Sequence, residues 1–168
     1  ESDRLARLVG DLLDLGRLDA NEFSLHPRPV ALGEVVAEAV EAFVPTAAEA
    51  GVDLSLDDAS ADAVVVVDPD RLVQALGNLV ENALKFALTE VRVTARPVPD
   101  AAAVEVAVTD DGPGIAPGDV GHVFERLYAA DRRPRRQVGG TGLGLAIVRE
   151  LIGAMGGAVR AESPALDD

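Results

Sequence analysis

The chain has 168 residues, 48% of them hydrophobic, enough for one respectable core, and a formal net charge of −14. That acidity argues against a nucleic-acid surface, which needs a basic footprint, although a polyphosphate needs only local positive charge. With no cysteine and two histidines, a disulfide framework, a thiolate metal site and a histidine-rich metal cluster are all excluded.

Leu5, Leu8, Leu12 and Leu15 recur at helical spacing, and Val9, Leu13 and Leu18 widen the stripe, so residues 2–19 are expected to form an amphipathic helix. The start, Glu1-Ser-Asp-Arg, is not a signal peptide, and no apolar run nears the roughly 18 to 20 residues that span a bilayer. The sequence is therefore expected to be soluble and, beginning in mid-helix pattern without Met, to be part of something longer. Asp19-Ala-Asn-Glu22 with Pro27 and Pro29 then reads as a linker over residues 20–29. A body over residues 30–168 follows.

Within that body a helix is expected over about 31–50, inward at Leu32, Val35, Val36, Ala39, Val40 and Phe43, with Pro45 bending or interrupting it and Gly51 ending it. Val52 to Leu56 alternates as a half-buried strand does, and Val64 to Val67 is a β-branched run suited to a central strand. Asp68-Pro69 supplies an N-cap and a first-turn proline for a helix to about Ala87. Strands are expected at Val91–Arg96 and Ala103–Val108. After Gly114 come a short helix near 117–124, a basic loop, a helix near 143–155 and a last strand near 158–162. Without strict βαβ alternation, this order predicts a mixed or antiparallel sheet with helices on one face.

Three stretches carry the chemistry. On the helix from Pro69, the residues Arg71, Gln74, Asn78, Glu81, Asn82 and Lys85 fall within one arc of about 100°, opposite Leu72, Val73, Leu76, Leu79, Val80, Ala83 and Leu84. A merely solvated face favours good helix formers, yet asparagine, a poor one, occurs here twice within five residues. An asparagine oxygen can help hold Mg²⁺, the chain's only lysine, Lys85, can meet phosphate, and Glu81 can accept a proton.

Asp110-Asp-Gly112-Pro-Gly114-Ile115 follows a strand. By itself it is an ordinary turn, but a carboxylate there can accept from an adenine amino group, and that reading expects Asp110 at the floor of a pocket. Gly139-Gly-Thr-Gly142-Leu-Gly144 opens an apolar helix, where bare backbone N–H groups and the helix dipole suit phosphate. It is neither a Walker loop, lacking Lys-Ser/Thr, nor a Rossmann turn, since the basic loop Arg132-Arg-Pro-Arg-Arg136 precedes it instead of a strand.

In this order, with Phe124-Glu-Arg-Leu-Tyr128 between the last two, the motifs resemble the ATP-binding catalytic domain of sensor histidine kinases, in the superfamily shared with Hsp90, DNA gyrase B and MutL. The likeness covers about residues 25–163. It implies an α+β fold, a two-layer α/β sandwich with a mixed sheet of about five strands under three helices, preceded by a helical segment. Residues 1–19 look like the end of the helical hairpin that carries dimerisation and the phosphoacceptor histidine.

The same resemblance implies ATP and Mg²⁺ as cofactors. Asn82 would be the metal ligand, with Asn78 beside it. Glu81 would polarise the attacking histidine or its bound water, and Lys85 would contact phosphates. Asp110 would bind adenine in a pocket shaped by Gly112, Gly114 and Ile115. Phe124 and Tyr128 would anchor a lid, and Gly140, Thr141, Gly142, Leu143 and Gly144 would wrap the phosphates. Implied partners are the hairpin of its own full-length homodimer and a cognate response regulator, with no nucleic acid. The location would be cytoplasmic, whether or not the full-length protein is membrane-anchored.

Three departures bear on activity. Neither His26 before Pro27 nor His122 before the Phe124 motif fits an acceptor. Ala129 stands where the family often has arginine. The chain stops at Asp168, short of the family's usual final strand. A nucleotide-binding module without transfer activity and an anti-sigma-factor-like serine kinase are the alternatives.

Overall fold

A computed structural model describes residues 16, 24–60, 62–126, 128 and 142–163. The expected lead helix, apart from Gly16, and the basic loop lie outside the described residues. The chain divides into two units, His26–Gly114 and a second made of Glu1–Leu25 with Ile115–Asp168.

In the first unit the order is β1 (Arg28–Ala31), α1 (Leu32–Glu41), α2 (Val44–Ala50), β2 (Asp53–Asp58), β3 (Val64–Val67), α3 (Pro69–Phe86), β4 (Glu90–Pro97) and β5 (Val104–Asp110). β2 pairs parallel with β4, and β4 pairs antiparallel with β5, giving a mixed three-stranded sheet. Along β4, Val91, Val93 and Ala95 are fully buried while Arg92 and Arg96 are exposed. One face of the sheet thus lies against α1 and α3, and the other meets water. Val52, Ala83 and Val91 join Leu54, Leu84, Ala87 and Val108 in a core that fixes the C-terminal half of α3 on the sheet. This is the expected two-layer α+β arrangement.

The stretch expected as one helix over 31–50 is two. Pro45 sits in the first turn of α2, where its missing N–H costs nothing, and Gly51 closes that helix at φ +70°. α3 begins as expected. The Asp68 carboxylate accepts the Arg71 N–H at 3.2 Å and the His26 N–H at 2.9 Å, with Pro69 in the first turn. Burial alone would raise the pKa of Asp68, but these N–H groups and the Arg71 charge outweigh it and hold the carboxyl below its ordinary value.

Two strand expectations need correction. Val64 to Val67 is not a central strand: β3 pairs with β1 alone, as an antiparallel ribbon, and Val64 and Val66 are exposed. A β-branched run signals a strand but not its neighbours. The prolines read as linker punctuation border or enter β1, which tolerates Pro29 because it pairs on one side only. The expected strand near 158–162 is not formed among the described residues, so the five strands divide three and two.

In the second unit the expected short helix near 117–124 contracts to a single 3₁₀ turn, Val120–His122, and α4 spans Gly144–Ala154. Among the described residues no helix is long and apolar enough to cross a membrane.

Candidate nucleotide-binding site

In the first unit the Asp110–Gly112 turn meets the C-terminal end of α3 at Phe86. Leu72, Ala75, Leu76, Val80 and Ala83 are the buried residues of α3, so the opposite arc is turned away from the core. Arg71, Gln74, Asn78, Glu81, Asn82 and Lys85 are all half-buried rather than fully solvated. Lys85 Nζ lies 3.0 Å from Glu81 Oε1, and Arg71 Nη1 donates to Gln74 Oε1 at 2.8 Å. The Glu-before-Lys order at a four-residue spacing, with lysine in the last turn, suits the helix dipole.

Asp110 is the last residue of β5, opposite Val91 in the ladder. Its Oδ1 accepts the Gly112 N–H at 2.9 Å. Asp110 is exposed at the end of its strand. Its carboxyl is still partly shielded: desolvation first, then the adjacent Asp111 charge, raises its pKa, against the Gly112 N–H that lowers it. Gly112 is required by space. A Cβ there would come within 2.6 Å of the Phe86 carbonyl oxygen and 2.5 Å of Asp110 Oδ1. Gly114 follows with φ +75°, the left-handed region that glycine adopts freely.

Asp111, which the sequence reading passed over, ties these pieces together. Its carboxylate accepts the backbone N–H groups of Leu88 at 2.8 Å, Thr89 at 3.0 Å and Glu90 at 3.1 Å, and the Thr89 hydroxyl at 2.6 Å. These bonds, led by the Thr89 hydroxyl, hold its pKa well below the ordinary carboxylate value. The stabilisation from a depressed carboxylate is present above the unfolded value of about 3.9 and is lost as pH falls below it.

In the second unit Ile115 N–H donates to Ser163 Oγ at 2.8 Å. Phe124 is half-buried, and Tyr128 OH donates to Asp119 Oδ1 at 2.6 Å. His122 Nδ1 lies 2.7 Å from Glu125 Oε1, and its ring sits 5.6 Å from that of Tyr128. Gly142 takes φ +71°, Leu143 is buried, and α4 starts at Gly144 with no side-chain cap. Gly140 and Thr141 lie outside the described residues.

Residues 67–166 match the model of the histidine kinase-, DNA gyrase B- and HSP90-like ATPase family. The chain belongs to this family. The ATPase domain is similar to the sensor histidine kinase WalK of Bacillus subtilis, 33% identical over 97% of this chain and 27% of WalK. It is also similar to the sensor-like histidine kinase SenX3 of Mycobacterium tuberculosis, 36% identical over 95% of this chain and 39% of SenX3. Among solved structures, full-length ShkA in complex with AMPPNP superposes with a TM-score of 0.80 at 34% identity, covering 96% of this chain and 34% of ShkA. The chain thus spans well under half of each of these relatives.

The donor chemistry of the α3 arc is compatible with a magnesium nucleotide. Among the described residues no three carboxylate or imidazole groups cluster to hold an ion. The α3 arc offers amide oxygens and one carboxylate, and Mg²⁺ characteristically takes few protein ligands and completes its shell from phosphates and water.

Proposed function

We propose that this domain binds Mg²⁺-ATP and transfers the γ-phosphoryl group to a histidine on a dimerisation hairpin of its own full-length protein. The observation that carries the reading is the half-buried arc of Asn78, Glu81, Asn82 and Lys85 on the same unit as the Asp110–Gly112 turn, which abuts the end of that helix. The AMPPNP held by full-length ShkA supports ATP as the nucleotide.

In this reading Asp110 accepts the adenine amino group, and Lys85 leaves Glu81 to meet phosphate oxygens. Glu81, released from that ion pair, takes up the proton of the attacking imidazole or orders it through water. Asn82, with Asn78 beside it, would hold Mg²⁺, which supplies charge neutralisation at the transferred phosphoryl group. Gly142 and Gly144, with Gly140 and Thr141, would offer backbone N–H groups to the phosphates, and Phe124 and Tyr128 would anchor that segment. Phosphoryl transfer asks mainly for such positioning and charge neutralisation.

The acceptor comes from elsewhere. His26 lies just before β1, with its backbone N–H on Asp68, and the His122 ring, at the end of a 3₁₀ turn, is engaged by Glu125. Residues 1–19 would be the end of the hairpin, the residues from 20 up to β1 the linker, and a response regulator the onward partner.

Asn82→Ala tests the site. Calorimetric ATP titrations should show wild-type affinity rising with Mg²⁺, and the variant losing that rise, about tenfold or more for one charge-bearing contact. Equal affinity in variant and wild type would favour a nucleotide-binding module without transfer activity. A phosphorylated product stable to acid would identify a serine kinase instead.

A further inference from the structure

We propose that Asp111 is a positioning residue for base selectivity: by binding the chain that links α3 to β4, it holds Asp110 in the place from which adenine is told from guanine. The proposal rests on the nucleotide reading above and deepens it.

The geometry is specific. α3 ends at Phe86 and β4 starts at Glu90, and the N–H groups of Leu88, Thr89 and Glu90 all converge on the Asp111 carboxylate. Successive N–H groups aimed at one anion form a concave nest, here filled by a side chain of the same fold. The Thr89 hydroxyl adds a fourth donor, and the Asp111 N–H donates back to the Glu90 carbonyl at 3.3 Å. One residue further on, Gly112 leaves no room for a Cβ beside the Phe86 carbonyl, so the turn that carries Asp110 is bonded to the link after α3 and packed on the last residue of that helix. Lys85, on that same end, would reach the phosphates of the nucleotide whose base meets Asp110. Asp111 thereby sets the span between the base contact and the phosphate contact while touching neither.

Selectivity depends on that span. Adenine presents an amino donor to a carboxylate where guanine presents a carbonyl acceptor, so a firmly held Asp110 accepts one and repels the other. Discrimination of this kind needs the polar group fixed within about 0.5 Å. Charge-assisted bonds of the Asp111 type are the strong class of hydrogen bond, and their loss lets the turn move.

The test is competitive binding of ATP and GTP to the whole chain, wild type against Asp111→Ala and Thr89→Val, with each variant held well below its own melting temperature. Asp111→Ala is expected to lower the preference for ATP over GTP about tenfold, mostly by weakening ATP. Thr89→Val, which removes one donor and keeps the rest, is expected to shift it in the same direction by less. A purely structural brace would lower the melting temperature and leave the ratio unchanged. If the wild type prefers ATP and both folded variants keep its preference, the proposal is overturned while the nucleotide reading stands. A wild type that binds neither nucleotide overturns both.

Discussion

Glu81→Gln is expected to leave Mg²⁺-ATP affinity within about threefold of wild type while slowing phosphoryl transfer about 10²- to 10⁴-fold, the usual contribution of a positioned general base. Glutamine keeps the shape of the side chain and its place on the half-buried arc, but it can neither take a proton nor neutralise Lys85, which lies 3.0 Å from the carboxylate. The freed lysine remains available to phosphate, so binding does not fall with the chemistry. Calorimetry gives the affinity, and single-turnover transfer of labelled phosphate gives the rate. A variant that transfers at the wild-type rate would show that Glu81 takes no part in the proton transfer.

Gly112→Ala is expected to damage binding and stability together. Its new Cβ would need to share space with the Phe86 carbonyl oxygen at 2.6 Å, a backbone atom that cannot swing aside. Relief requires the turn to lift, which breaks the 2.9 Å bond from Gly112 to Asp110 and moves the base-binding carboxyl. Overpacking of this kind costs about 1–3 kcal/mol of stability. ATP affinity should fall about tenfold to a hundredfold for a displacement near 1 Å. Urea unfolding and ATP titration of the same preparation check both. Alanine at Gly118, whose Cβ would meet nothing within 4 Å, is the control.

Much of this site is legible in residue order because its parts are local. The polar arc of α3 follows from helical periodicity, and its start from the Asp68-Pro69 pair, whose cap is formed within one turn. The glycines of the Asp110 turn are legible as glycines, although the reason for Gly112, the Phe86 carbonyl, is tertiary. What was hidden depends on partners distant in sequence. Asp111 looks like one more acidic turn residue until Leu88 and Thr89, more than twenty positions earlier, are folded against it. β1 was masked by prolines that a strand paired on one side accepts, and the valine run of β3 carried no mark of its single neighbour. The strand expected near 158–162 likewise finds no ladder partner among the described residues.

The most direct test of the account is transfer to a supplied acceptor. The chain is incubated with γ-labelled ATP, Mg²⁺ and a separately made dimerisation hairpin carrying its histidine, and the hairpin is then assayed for acid-labile, alkali-stable label. Label is expected on the hairpin histidine, dependent on Mg²⁺ and formed about 10²- to 10⁴-fold more slowly with Glu81→Gln. Tight ATP binding with no label on that histidine would contradict the account.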